Sequence, residues 1–453
     1  MLFTQYYLDC LSHASYLIGD ETTGRAAVVD PQRDVSEYLK DAEEGGLTIE
    51  WVLETHFHAD FLSGHLELAA ATGARIGFGP GAQADFDVES LEDGRRIELG
   101  TVTLEILATP GHTPESISIV VYDNESAAPY GVLTGDTLFV GDVGRPDLLA
   151  SVGVSADDLA RRLYQSLHEK LLTLPDETRV FPAHGAGSAC GKNLSTETQS
   201  TIGEQRRSNY ALAPMSEDDF VEAVTQGQSV APLYFSFAAG RNRAEHDLMA
   251  EAEPPPALSL DEVMTLQADG AVVLDTRDQR DFAAGHVSGS VNVGLGGRFA
   301  EYSGDVARPD QSIVVVGDPG TELEAKVRLG RIGFDRVVGY LDSPVRALLD
   351  TPECSVRSSR VTAAELTELL DSGAELQLVD VRNPGEVEAG IVAGAITIPL
   401  AELLDDPSEL EPKLPTVVYC AGGYRSSVAA SALAARGFSD VSDLVGGYQA
   451  WTG

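Results

Sequence analysis

An internal repeat restricts the second half of this chain to two copies of one small fold. The segment "AVVLDTRDQRDFAAGHVSGSVNV" (271–293) aligns with "LQLVDVRNPGEVEAGIVAGAITI" (376–398) at an offset of 105 residues, so that Asp275 matches Asp380. In each copy an apolar run follows, and then a helical stretch that ends in Gly-Phe. Apolar strand runs that alternate with helical patterns are typical of α/β units on a parallel sheet. The sequence therefore predicts a duplicated α/β domain of about 100 residues.

The length and two breaks in the pattern predict three domains. A chain of 453 residues is long enough for about three domains. The prolines of "EAEPPPALSL" (251–260) predict a stiff spacer, and "TPECSVRSSR" (351–360) indicates a second break. We expect domains at 1–250, 257–352 and 358–453.

Several short strands of the first 250 residues end directly in His or Asp. These residues are His56, His58 and Asp60 in "ETHFHAD", His112 in "TPGHT", Asp136 in "TGDTLF" and His184 in "PAHG". Polar residues that loops present at strand ends are typical of active sites. Their order and spacing resemble the metallo-β-lactamase superfamily, and this resemblance implies an αββα sandwich with a metal site.

Phe61 departs from the dinuclear members of that superfamily, in which a His at this position holds the second metal. Phenylalanine has no lone pair, so a single metal is expected. The mononuclear iron branch of the superfamily is the persulfide dioxygenases. Resemblance to it implies one Fe(II) per chain, held by His56, His112 and Asp136. Two imidazoles and one carboxylate leave positions on iron for a persulfide sulfur and O2, whereas zinc has no redox chemistry.

The other strand-end residues then have supporting roles. His58, Asp60 and His184 are expected to orient the ligands or bind water, and a direct metal contact of His58 stays open. "TGDTLFVGDVGRPDL" (134–148) and "FPAHGAGSACGKNLS" (181–195) resemble persulfide dioxygenases that are fused to rhodanese domains.

Two further residues in these stretches allow more than one interpretation. Arg145 lies just beyond Asp136 and is a candidate for binding a carboxylate of the thiol carrier; a structural salt bridge is an equal alternative. For Cys190, which follows His184 by six residues, a small buried thiol is favoured over a role in sulfur handling.

"VVYCAGGYRSSVAASAL" (417–433) places Cys420 between an apolar strand and a helix. A tight loop at a helix N-terminus aims backbone N–H groups at one point and favours a bound anion. Four residues separate Cys420 from Arg425, which is the rhodanese length and resembles a sulfurtransferase. The resemblance implies that Cys420 carries a persulfide and that Arg425 assists it. The expected substrate-binding residues of this loop are Gly422, Gly423, Tyr424 and Ser426.

The first copy of the repeat has Gly317 at the position of Cys420, with no Arg in the loop that follows. We expect it to be an inactive rhodanese-like domain that spaces or docks its neighbours.

Together these resemblances imply two linked reactions. A low-molecular-weight thiol persulfide is oxidised by O2 to the thiol and sulfite, and Cys420 transfers sulfane sulfur to or from sulfite, which interconverts sulfite and thiosulfate. The implied role is sulfide detoxification. One alternative is a zinc-dependent thioester hydrolase of the glyoxalase II type fused to a sulfurtransferase. Another is a noncatalytic sulfur-relay scaffold that works only through Cys420.

The composition limits the partners and the setting. Lys plus Arg is 31 and Asp plus Glu is 71, which gives a net charge of −40. This charge argues against nucleic acid and favours a salt-rich cytoplasm in which the repulsion is screened; an acidic protein of an ordinary cytoplasm is the alternative. We see no signal peptide and no membrane-spanning run. Four cysteines in so long a chain indicate a reducing compartment. A homo-oligomer is common for such folds.

Overall fold

A computed structural model describes residues 1–123, 128–150 and 153–453. The described chain forms two compact units. The first comprises Met1–Gln228 and Phe235–Met249, and the second comprises Ser229–Tyr234 and Ala250–Gly453. The predicted domain boundaries at 1–250, 257–352 and 358–453 stay predictions.

The described residues of the first unit form two six-stranded sheets. The strands of sheet one, in spatial order, are β1 (Leu2–Leu8), β2 (His13–Asp20), β3 (Arg25–Val29), β4 (Thr48–Leu53), β5 (Arg75–Phe78) and β6 (Glu89–Ser90). Strands β1 to β3 are antiparallel, and β3 to β6 are parallel. Sheet two runs in the order β12 (Ser200–Thr201), β11 (Arg179–Pro182), β10 (Gly131–Gly135), β9 (Ile117–Tyr122), β8 (Thr103–Ala108) and β7 (Arg96–Glu98). Its pairs are antiparallel except for β10 with β11.

Helices cover the outer faces of both sheets. They are α1 (Ser36–Glu44), α2 (His65–Thr72), α3 (Ala156–Glu169), α4 (Ile202–Ser208), α5 (Glu217–Thr225) and α6 (Phe235–Arg241), with 3-10 turns at Leu171–Thr173 and Tyr210–Leu212. Ser155 caps the N-terminus of helix α3, and its side chain accepts a hydrogen bond from the Asp158 N–H at 3.2 Å. This cap satisfies a donor that the first helical turn leaves unpaired.

The alternation of side chains along the strands produces the layers. Tyr16 and Ile18 of β2 face Ile106 and Ile119 of sheet two in the core between the sheets. Leu17, between them in sequence, packs outward with residues of α1 and α2. Residues of α3, α4 and α5 pack in the same way on the far side of sheet two. The first unit is thus the αββα sandwich that the sequence analysis predicted.

The second unit contains two five-stranded parallel sheets, one from each copy of the repeat. The elements of the first copy are β13 (Ala257–Leu258), α7 (Leu260–Ala268), β14 (Val272–Asp275), α8 (Gln279–Ala284), β15 (His286–Val287), β16 (Val291–Asn292), α9 (Phe299–Val306), β17 (Ile313–Val316), α10 (Glu322–Gly330), β18 (Val337–Leu341), α11 (Pro344–Asp350) and β19 (Ser355–Val356), with a 3-10 turn at Pro352–Cys354. Those of the second copy are β20 (Ser359–Val361), α12 (Ala363–Asp371), β21 (Gln377–Asp380), α13 (Pro384–Val387), β22 (Ile396–Thr397), α14 (Leu400–Asp405), β23 (Thr416–Tyr419), α15 (Tyr424–Ala435), β24 (Val441–Leu444) and α16 (Gly447–Thr452).

The two sheets have equivalent strand orders, β13-β18-β17-β14-β16 and β20-β24-β23-β21-β22, and β15 pairs separately with β19. In both copies the Asp that ends the equivalent strand, β14 or β21, binds the Arg two residues later, Asp275 with Arg277 and Asp380 with Arg382. The sequence prediction of a duplicated parallel α/β fold is confirmed. Among the described residues, no helix has both the length and the apolar character that crossing a bilayer requires.

Candidate functional site

The strand-end residues of the first unit converge at one edge of the sandwich. The segment after β4 carries three of them, and β8, β10 and β11 each lead to one more. Their exposed fractions are 1% for His56, 0% for His58, 5% for Asp60, 2% for His112, 2% for Asp136 and 1% for His184. So many buried polar side chains need partners, because an unsatisfied buried polar group costs about 1–3 kcal/mol.

His56, His112 and Asp136 form the first cluster, with one donor atom from each within 4.8 Å of the others. Asp136 Oδ2 lies 3.5 Å from His112 Nε2 and 3.8 Å from His56 Nε2. His56 Nε2 and Asp136 Oδ2 are buried and have no hydrogen-bond partner. Ligand atoms that each lie about 2.0–2.2 Å from one metal ion are separated from each other by distances close to these two.

Neighbouring groups determine the tautomers of these two histidines. The Thr55 hydroxyl donates to Asp30 Oδ2 at 2.8 Å, so it accepts from the His56 Nδ1–H at 3.0 Å. The His112 Nδ1–H donates to the carbonyl oxygen of Arg145 at 2.8 Å. Both Nε2 atoms therefore carry lone pairs. Three electron-pair donors converge without a proton between them, so the residues fit a bound cation.

His184 bridges two carboxylates beside this cluster. Its Nδ1 lies 2.7 Å from Asp136 Oδ1, and its Nε2 lies 2.7 Å from Asp60 Oδ2. Burial lowers the pKa of His184, but Asp136 and Asp60 outweigh this effect, and the pKa is raised well above its ordinary value. Burial by itself would raise the pKa of Asp136. The contacts with His184 lower this pKa by more than burial raises it, so the net shift is downward. An imidazolium that donates to Asp136 Oδ1 leaves Oδ2 directed at the cluster.

Phe61 is 1% exposed and lies among the remaining histidines. Its ring centroid is 4.0 Å from that of His13, 4.3 Å from His58 and 6.5 Å from His184. His58, Asp60 and His184 form a second group whose donor atoms also lie within 4.8 Å of one another. Phe61 places an apolar wall against this group.

A polar cluster that the sequence patterns did not predict lies beside the group of His56, His112 and Asp136. His58 Nε2 lies 3.2 Å from Asp30 Oδ1 and 3.6 Å from Glu54 Oε2, and His65 Nδ1 lies 3.5 Å from Glu54 Oε1. Burial and then the nearby charge of Asp30 raise the pKa of Glu54 well above its ordinary value. Glu54 directly precedes "THFHAD" at a strand end, which was the available signal for part of this cluster.

Arg145 and Cys190 are both buried beside the site. The Arg145 guanidinium donates to both oxygens of Asp147 at 2.7 Å and to the Ala189 carbonyl at 3.1 Å. This is the salt-bridge geometry of the alternative interpretation, and a carboxylate-binding role stays a prediction. The Cys190 thiol lies with Asp136 and His184 within 4.8 Å. Burial, and then Asp60 and Asp136, raise its pKa.

The Cys420 loop lies between β23 and α15, as the sequence predicted. The Gly423 N–H donates to Cys420 Sγ at 3.1 Å, and Ser426 Oγ lies 3.6 Å from the same sulfur. Gly423 precedes the helix with a φ of 106°, in the left-handed region that favours glycine. Arg425 donates two hydrogen bonds to Glu386, at 2.6 and 2.7 Å.

Gly317 occupies the equivalent position in the first copy. A Cβ added there would lie 2.6 Å from Thr276 Oγ1 and 2.9 Å from Thr321 Oγ1. The position has no space for a cysteine side chain unless these threonines move, in keeping with the expectation that this copy forms no persulfide.

Comparison with known proteins defines the class of both units. Residues 8–184 match the family model of the metallo-beta-lactamase superfamily, and residues 259–345 and 362–453 each match that of the rhodanese-like domain. The chain is 32% identical over 234 residues to the persulfide dioxygenases ETHE1 of Bos taurus and Homo sapiens, covering 50% of this chain and 82% of each relative. The crystal structure of a metallo-beta-lactamase from Staphylococcus aureus is 34% identical with a TM-score of 0.70, and the match covers 75% of this chain and 99% of that one.

Fold and site thus define an αββα sandwich with residues that could hold a metal ion, followed by a duplicated rhodanese-like fold. The chain belongs to the metallo-beta-lactamase superfamily: a domain homologous to the ETHE1 persulfide dioxygenases is followed by two rhodanese-like domains.

Proposed function

We propose that the first unit oxidises the persulfide of a low-molecular-weight thiol with O2, and that Cys420 transfers sulfane sulfur. The overall first reaction is RSSH + O2 + H2O → RSH + HSO3⁻ + H⁺, in which the outer sulfur is oxidised and O2 is reduced. The observation that carries this proposal is the convergence of two imidazole lone pairs and one carboxylate oxygen at a buried point. The homology to persulfide dioxygenases supports it.

His56, His112 and Asp136 would hold one Fe(II) ion, which when bound supplies the redox chemistry with O2 and open positions for both substrates. Thr55 and the Arg145 carbonyl keep the two imidazoles in the tautomer that offers Nε2.

The neighbouring residues orient the ligands and exclude water. His184 orients the Asp136 carboxylate through the contact at 2.7 Å, and Asp60 keeps His184 charged. His58, which faces Asp30 at 3.2 Å, has the orienting role in this proposal. Phe61 keeps water and a second cation away from the side of the site on which His58 and His184 lie.

The sulfurtransferase step takes place at Cys420. The Gly423 N–H points at Sγ and stabilises negative charge on the sulfur, as does the helix N-terminus. Gly422, Tyr424 and Ser426 complete the loop around the bound sulfur, and Arg425 provides positive charge beside it. Sulfite and thiosulfate are the proposed second pair of substrates, in a pathway that removes sulfide.

The test measures both activities in the same protein. Full-length protein loaded anaerobically with iron should consume O2 and release sulfite when a thiol persulfide is added. Asp136→Ala should lose bound iron and O2 uptake but retain sulfur transfer from thiosulfate to cyanide. Cys420→Ser should retain bound iron and O2 uptake but lose sulfur transfer from thiosulfate to cyanide. If Asp136→Ala leaves every activity intact, the protein is a sulfur-relay scaffold and the proposal is wrong.

A zinc thioester hydrolase is the second candidate, and one observation favours it. His58, Asp60 and His184 form a compact group of potential ligands next to the first cluster, as two-metal hydrolases require. Metal analysis separates the candidates. Two zinc ions per chain, with thioester cleavage and no O2 uptake, would identify the hydrolase.

A further inference from the structure

The first copy of the repeat lacks the cysteine but retains a cavity at the carboxyl ends of its strands. The cavity has a volume of about 520 Å³. Thr276 follows β14, Asn292 ends β16, and Asp318 follows β17; all three line it. Ligands of open parallel α/β sheets bind at this edge. We call this space the repeat cavity.

The second copy closes the repeat cavity with a residue of the Cys420 loop. Tyr424 lines the cavity, and its hydroxyl donates to the Gly294 carbonyl. A Cβ added to Gly297 would overlap the Tyr424 ring, so glycine permits this close approach. Ser427, on the same helix as Tyr424, donates to Asn292 Oδ1 at 2.7 Å. The helix that follows Cys420 is thus docked on the cavity wall.

Gln279 connects the repeat cavity to the sulfur site. It lines the cavity, and its carboxamide nitrogen and oxygen both lie 3.6 Å from the position of a Cβ built on Gly423. Gly423 is the residue whose N–H donates to Cys420 Sγ. Gln279 Oε1 is buried and has no hydrogen-bond partner. A buried acceptor of this kind favours a ligand with a donor group.

The size and charge of the repeat cavity indicate the class of ligand. Its volume lies in the range of about 300–1,000 Å³ of small-molecule sites and greatly exceeds that of a sulfur oxyanion. Its charged lining residues are Asp278, Asp318, Glu324 and Arg328. Arg328 is paired with Glu324 at 3.0 Å, so the lining has a net negative charge. Such a lining disfavours sulfite and thiosulfate and favours an organic molecule with a positive group.

We propose that the repeat cavity binds a low-molecular-weight thiol that carries an ammonium group, and that this thiol exchanges sulfur with Cys420. This inference rests on the proposed sulfurtransferase function. The carrier thiolate attacks the outer sulfur of the Cys420 persulfide, and the bond between this sulfur and Sγ breaks with its electron pair left on Sγ. A new S–S bond forms on the carrier, whose thiol proton ends on Cys420. No external oxidant or reductant is needed. Gln279 is a specificity-determining residue in this step.

Cysteamine and N-acetylcysteamine test the proposal, because they differ in the ammonium group. The full-length Cys420→Ala protein, which cannot exchange sulfur, is titrated with each compound in a calorimeter. We expect cysteamine to bind about twofold to fivefold more tightly, the range of an accessible ion pair. Asp318→Asn in this background should remove most of the preference, whereas Asp269→Asn, an exposed acid outside the cavity, should keep it. Gln279→Ala should weaken cysteamine binding about fivefold, the effect of one lost hydrogen bond.

Equal affinities for the two compounds, or a preference that survives Asp318→Asn, would show that the cavity does not select an ammonium thiol. Sulfur transfer from thiosulfate to cyanide by the wild-type protein is measured in parallel. Its absence would refute the sulfurtransferase function itself, while the titrations still report on the cavity.

Discussion

Hydrogen bonds at Nδ1 of each imidazole determine what the group of His56, His112 and Asp136 can bind. The Thr55 hydroxyl and the Arg145 carbonyl each accept from an Nδ1–H, of His56 and His112 respectively. Each ring therefore offers its Nε2 lone pair, because a neutral imidazole carries only one N–H. The metal-binding capacity thus depends on two groups that would not themselves touch the metal.

Phe61→His tests whether the apolar side chain of Phe61 limits the number of metal ions that the chain binds. The new imidazole would join His58, Asp60 and His184, whose donor atoms already lie within 4.8 Å of one another. We expect the metal content of protein produced with excess zinc to rise from about one to about two per chain, because four donors complete a zinc site. Mass spectrometry of the purified protein measures the number of metal ions per chain.

Phe61→Leu is the matched control and should keep one metal, since leucine preserves an apolar side chain without a lone pair. One metal in the Phe61→His protein would show that Phe61 does not decide the metal number.

At the scale of elements, the N-terminal turn of helix α16 holds the Cys420 loop in place. The Tyr448 N–H donates to the Cys420 carbonyl at 2.7 Å, and the Gln449 N–H donates to the Ala421 carbonyl at 3.0 Å. Gly447 makes this approach feasible, with a φ of 59°. A Cβ there would overlap the Cys420 carbonyl oxygen and lie 2.7 Å from that of Ala421.

Gly447→Ala should therefore impair both stability and sulfur transfer. The left-handed backbone alone costs about 1–2 kcal/mol for alanine, and displacement of the loop carbonyls adds about 1–3 kcal/mol. We expect a lower denaturation midpoint and a reduced kcat in the thiosulfate–cyanide assay.

Gly437→Ala is the matched control, because Gly437 has a φ of 93° but no atom within 4 Å of an added Cβ. It should lower the midpoint by the backbone cost alone and leave kcat unchanged. Equal effects of the two substitutions on kcat would contradict the proposed role of the N-terminal turn of α16.

At the scale of the whole molecule, charge is the dominant property. The chain has 71 acidic residues, and only five of its 31 basic residues are Lys. Much of the cationic charge is therefore on Arg, which forms bidentate contacts such as Arg145 with Asp147. The acids outnumber Lys and Arg by more than two to one, so most of the negative charge is not balanced by cationic side chains.

This imbalance predicts a protein that needs salt. Raising KCl from about 0.1 to 1 M shortens the Debye length from about 10 to 3 Å, so the repulsion among carboxylates falls and the thermal midpoint should rise. Scanning calorimetry measures the midpoint, with sucrose at equal osmolality as the control. A midpoint that is independent of KCl, or that rises equally in sucrose, would refute a halophilic adaptation.

Patterns of short range in sequence predicted much of the fold and the candidate site. The repeat predicted two parallel α/β units because each copy carries the same strand and loop signals. The six His and Asp residues were predicted to meet because strand ends at one edge of a sheet lie together. Asp30 and His65 were missed because neither belongs to a spacing motif, and Asp30 contacts His58 only when β3 and β4 pair.

The sequence by itself determined which donor atoms and which thiols are present and how they are spaced, since these are properties of the residues. It also determined the net charge and the loss of the cysteine in the first copy. Only the tertiary structure decided the tautomers of His56 and His112 and the cavity shared between the repeats. These depend on contacts between residues far apart in the chain, such as Thr55 with Asp30 and Tyr424 with Gly294, which no local pattern encodes.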